Sequence, residues 1–130
     1  MLVIDGPPGI GCPLIAAIAS MDLVVAVAEP TVSGAHDLGR LADVASRLGL
    51  PVWVVLNKAD LSADGASRIR ELCASRSLPL IAEVPFDAAL ADLSKVSATE
   101  TRVLAAAVSP GLREAASAWG AVQRELGLLG

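Results

Sequence analysis

The chain has 130 residues, 54% of them hydrophobic, with a mean hydropathy of +0.61 and a formal net charge of −4. That length suits one soluble domain burying about two-thirds of its unfolded surface, and the acidic balance with scattered Arg argues against a nucleic-acid surface. Its most apolar stretch, residues 14–28, is broken by Asp22 beside Ser20, short of the roughly 20 apolar residues a membrane span needs.

The first nine residues, Met-Leu-Val-Ile-Asp-Gly-Pro-Pro-Gly, read as a buried parallel strand over residues 2–5 that delivers Asp5 to a sheet edge. The following turn of Gly6, Pro7, Pro8, Gly9, Ile10 and Gly11 brings glycine backbone close to an anion while the prolines stiffen it. A plain strand-to-helix turn is the simpler alternative. Cys12-Pro13 then opens a helix, with proline suited to its first turn. No basic n-region or cleavage site marks a signal peptide, and two cysteines, Cys12 and Cys73, suggest a reducing, cytoplasmic setting.

A second strand covers residues 23–28, and its unbroken apolar character predicts helices on both faces. Leu38, Leu41, Ala42, Ala45 and Leu48 then recur at helical spacing, opposite Asp37, Arg40, Asp43 and Arg47. His36, the one histidine, falls in the first turn of that helix as a surface residue. A third strand over residues 52–56 ends in Asn57-Lys58-Ala59-Asp60. Asn57 offers a donor and an acceptor to a purine edge, and Asp60 is either a guanine acceptor or, with Ser62, a cap for the next helix.

Ile69, Leu72 and Cys73 mark that helix over residues 63–75, and a weaker fourth strand over residues 80–84 ends in Glu83-Val84-Pro85-Phe86-Asp87. Asp87 suits the N-cap of a short helix from Ala88, and Ser109-Pro110 opens a last helix. Its stripe is Leu112, Ala115, Ala116, Trp119 and Val122, with Trp119 and Trp53 both expected in the core. Connections of about 17 to 23 residues between strands accommodate helical crossovers. The expectation is one α/β domain over residues 1–130, a parallel sheet of about four strands flanked by helices.

The ordered set of Asp5-Gly-Pro-Pro-Gly-Ile-Gly-Cys-Pro-Leu-Ile-Ala, Ala28-Glu-Pro-Thr with Ser33-Gly-Ala-His-Asp-Leu, and Val55-Leu-Asn-Lys-Ala-Asp resembles the MinD/Mrp/ParA class of P-loop ATPases. It is closest to the MinD-like ATPases with an inserted ferredoxin-type iron–sulfur domain, over residues 2 to about 87. The resemblance implies a partial P-loop fold in which Asp5 is the Walker B acid holding Mg²⁺ through water. It implies that Pro7, Pro8 and Gly9 form a switch loop sensing the γ-phosphate of ATP, so that Asp5 and Gly9 are the catalytic positions. Asn57, with Lys58 beside it, would read the adenine, and the turn of Pro85 to Asp87 would pack against the base.

One departure concerns the Walker A loop, a Gly-rich turn ending in Gly-Lys-Ser/Thr, for which this chain offers only Lys58 after Asn57 and Lys95 after Ser94. The expectation is therefore the downstream portion of an ATPase, not hydrolysing ATP alone, with the phosphate cradle and any iron–sulfur cysteines upstream. Its partners would be a nucleotide and either a second copy or a separate N-terminal P-loop half. Two alternatives stand: a GTPase reading Asn57 to Asp60, weakened because its Asp-x-x-Gly switch would need Gly where Pro8 stands, and a non-catalytic α/β module.

Overall fold

The computed structural model describes residues 2–6, 11–88 and 110–127. Within them the order is α1 (Cys12–Ile18), β1 (Val24–Ala28), α2 (Val32–Leu48), β2 (Val52–Asn57), α3 (Ala63–Ser75), β3 (Leu80–Val84) and α4 (Pro110–Glu125). The strands form a three-stranded parallel sheet in the order β1-β2-β3. The fold is α/β.

Both long connections begin with the same local device. Thr31 caps α2 by accepting the Gly34 N–H at 2.9 Å, and Ser62 caps α3 by accepting the Gly65 N–H at 3.0 Å. Each glycine also permits a close approach. A Cβ on Gly34 would stand 2.3 Å from the Glu29 carbonyl oxygen, and one on Gly65 would stand 1.9 Å from that of Pro30. The segment Glu29-Pro30-Thr31 is thereby pinned between two helix starts. Gly49, at φ +70°, closes α2 in the left-handed conformation that an L-residue adopts at a cost.

Pleating sorts the strand residues onto two faces. Ala26 and Ala28 of β1 and Val52, Val54 and Leu56 of β2 bury one face against Leu38 and Ala45 of α2 and Ala66, Ile69 and Cys73 of α3. Val55 and Val84 lie on the other, where α4 packs against β3 and buries Val122. Arg70 of α3 clamps Glu83 of β3 with two hydrogen bonds of 2.8 and 2.6 Å, and Arg76 ties α3 to Asp43 and the Gly39 carbonyl of α2.

Three expectations need correction. Residues 2–5 form no strand: an extended segment becomes one only by pairing its backbone, these residues pair with none of the described strands, and Leu2 and Val3 are exposed. The described sheet therefore has three strands, and among the described residues Val27 of β1 is left 65% exposed on the face away from α2 and α3. Trp119 is 41% exposed rather than core, lining the groove that also borders β1. Trp53 is half-buried.

Candidate functional site

A parallel sheet brings all its strand carboxyl ends to one rim, where open α/β sheets hold ligands. Register sets that rim here: Ala28 pairs with Leu56 and Asn57 with Val84, so Glu29, Lys58 and Pro85 follow the three strands side by side. Asn57 is the last residue of β2, and its Oδ1 accepts the Lys58 N–H at 3.0 Å. That bond accompanies a left-handed turn at Lys58, φ +56°, a conformation uncommon for a residue with a side chain. The turn sends the Lys58 ammonium across the rim to Glu29 Oε1 at 2.6 Å, joining the tips of β1 and β2. Exposed as it is, that pair adds little stability, but it fixes where both side chains stand.

The tips of β2 and β3 are joined as well. Ala59 N–H donates to the Val84 carbonyl at 2.9 Å, and Phe86 N–H donates to Asp60 Oδ1 at 2.6 Å. Asp60 is thus a crosslink to the loop after β3, and Ser62 alone caps α3. Pro85 is half-buried and Phe86 is exposed on this loop. Ala88 has the helical assignment expected there, and residues 89–109, over which that helix would run, lie outside the described residues.

An open groove of about 1640 Å³ runs along the outer edge of β1. Asp5, Glu29 and Asn57 all line it, so the expected metal acid and the expected base-reading amide share one cavity. Lys58, Pro85 and Asp87 do not line it. Pro7, Pro8 and Gly9 lie outside the described residues. His36 is exposed beside Asp37, Cys12 is exposed, and Cys73 is buried with its thiol pushed up by desolvation.

A Mg²⁺ site is compatible with this donor set. Among the described residues no three His, Cys, Asp or Glu side chains gather to cage a metal. Mg²⁺, however, is ordinarily held by one or two carboxylates together with waters and substrate phosphates, and Asp5 supplies one exposed carboxylate at the groove. Sequence reading missed the Glu29–Lys58 pair and the Asp60–Phe86 bond, since neither spacing encodes them. It also missed the close helix starts, although Thr31-x-x-Gly34 and Ser62-x-x-Gly65 are a visible shared pattern.

No family model matches the chain. A protein of Methanocaldococcus jannaschii, named only as Uncharacterized protein MJ0578, is 38% identical over 60 residues, which is 46% of this chain and 22% of that protein. The chain spans about a fifth of the length of this relative, whose name assigns it no activity. None of the helices among the described residues is long and apolar enough to cross a membrane.

Proposed function

We propose that the chain is the ATP-binding portion of a MinD/Mrp-type P-loop ATPase, carrying the Walker B acid and the base-reading rim. One observation carries the reading: Asn57, at the end of a central parallel strand and held by a left-handed turn at Lys58, lines the same groove as Asp5. With its carboxamide oxygen committed to Lys58, Asn57 presents its NH₂ as a donor to the ring-nitrogen acceptors of a purine. Asp5 would hold Mg²⁺ through water, and bound Mg²⁺ would supply neutralisation of phosphate charge. Pro85 and Phe86 form the side of the rim on which the base would rest. Pro7, Pro8 and Gly9, by the same resemblance, would sense the γ-phosphate. A second copy or a P-loop half would complete the phosphate side, in a reducing cytoplasmic setting that suits two free cysteines.

The guanine alternative is disfavoured by a specific contact. Recognition of guanine by Asp60 would draw on both carboxylate oxygens, and Oδ1, already accepting from Phe86, has one of its two lone pairs engaged by the loop after β3.

Calorimetric titration of the chain with ATP, ADP and GTP in Mg²⁺ tests the reading. Binding of adenine nucleotides with GTP weaker is the expected result. GTP binding with ATP silent would reverse the base assignment, and silence with every nucleotide would favour the non-catalytic module. Where a P-loop half restores turnover, Asp5→Asn should abolish it; an unchanged rate would remove Asp5 from the metal site.

A further inference from the structure

Two bonds tie the segment after β2 to the segment after β3, and they bracket a single residue. Ala59 N–H donates to the Val84 carbonyl at 2.9 Å on one side of Pro85, and Phe86 N–H donates to Asp60 Oδ1 at 2.6 Å on the other. The ring of Pro85 locks its φ and leaves no N–H in need of a partner, and it confines Val84 to extended backbone. What stays free between β3 and Phe86 is ψ of Pro85, the torsion that aims the Phe86 N–H. The Asp60 bond fixes it. A carboxylate accepting from a backbone donor is the stronger kind of hydrogen bond.

The residue delivered this way is uncommon in the chain. Phe86 is its one phenylalanine, beside two tryptophans and no tyrosine, and it stands 43% exposed at the carboxyl rim. A flat ring on a held loop offers a face on which a base can stack. The start of α3 does not depend on Asp60, since Ser62 caps that helix through the Gly65 N–H at 3.0 Å. The acid of the Asn57-Lys58-Ala59-Asp60 run therefore serves the neighbouring loop rather than its own helix.

We propose that Asp60 is a positioning residue for nucleotide binding: it holds the Phe86 N–H and so fixes the loop that meets the base, without touching the base itself. The inference rests on the adenine-nucleotide reading and assigns Asp60 a part in it.

The test compares the full chain with Asp60→Ala, which deletes the acceptor, and Asp60→Asn, which keeps an oxygen in its place. Amide hydrogen exchange is read at Phe86 in the free chain, with Ile69 in the core as reference, and ATP, GTP and xanthosine triphosphate are titrated with Mg²⁺. Asp60→Ala should speed exchange at Phe86 about two- to fivefold, leave Ile69 unchanged and weaken ATP binding by a similar factor. Removing an acid from a chain of net charge −4 favours an anionic ligand, so weaker binding has the opposite sign to a charge effect. Asp60→Asn should stand nearer the parent in both measurements.

Unchanged exchange at Phe86 in Asp60→Ala overturns the inference whether or not ATP binds. So does ATP bound equally by parent and Asp60→Ala, or exchange that rises at Ile69 as much as at Phe86. An Asn in place of Asp60 would donate to the 2-carbonyl of xanthine, so an Asp60→Asn protein that exchanges GTP for xanthosine triphosphate would put Asp60 on the base and sink the inference and the adenine reading together. A parent silent with every nucleotide, its Phe86 amide still loosened by Asp60→Ala, would fail the nucleotide reading and leave Asp60 as the holder of the loop.

Discussion

Two glycines, Gly34 and Gly65, let two helix starts close onto the segment that follows β1. Gly65 lets α3 begin against the Pro30 carbonyl, and Gly65→Ala would force a methyl into backbone at 1.9 Å that cannot swing aside. A loss of about 1–3 kcal/mol or more is expected in urea unfolding, because overpacking here must move a helix start or a strand tip. Glu83 gives a pH-dependent contribution. Its carboxyl is held below the ordinary value by its bidentate bond to Arg70. A depressed carboxyl stabilises the fold above the unfolded value, about pH 4.3, and loses that contribution as pH falls through the folded value. Glu83→Gln should therefore lower stability slightly at neutral pH and flatten the acid limb, the variant and the parent converging as pH falls, measured by thermal melts from pH 7 downward. The two thiols should separate cleanly. Cys12 is exposed and should be alkylated in the native protein, while Cys73, on the buried face of α3 with its thiol pushed up by burial, should react only on unfolding.

At the scale of elements, the legible parts were those whose residues agree with one partner layer. The strand at 52–56 is marked by a run rich in β-branched apolar residues and that at 80–84 more weakly, with Glu83 in it, while the stripe of Ile69 and Cys73 and the serine cap bound α3. Leu56 and Ile69 meet in the shared core, and truncation of either to Ala should cost about 2–5 kcal/mol in chemical denaturation. What failed was whatever depends on a partner that sequence cannot display. Residues 2–5 have strand composition but no described strand to pair with. Trp119 has core spacing, but it stands 41% exposed at the groove. The site was partly legible: Asn57 closes β2 as the apolar run before it indicates, whereas the run before Asp5 pairs with no described strand, and the Glu29–Lys58 and Asp60–Phe86 links join segments far apart in sequence and exist only once the strands are in register.

For the whole molecule, the layered arrangement separates two tasks. The face of α2 and α3 is filled and makes the rim rigid, while the outer edge of β1 is left as an acid-lined groove. The carboxyl rim has Asn57 at the end of its central strand, Glu29 and Lys58 bridging the strand tips, and Asp60 tied to the loop that carries Pro85 and Phe86. A purine binds there or the proposed activity is lost. The most direct measurement is isothermal titration of ATP with Mg²⁺ into the native chain and into Asn57→Ala, with circular dichroism to show that both keep their fold. Heat of ATP binding that disappears in the folded Asn57→Ala protein is the predicted result; ATP bound equally well by both would contradict it.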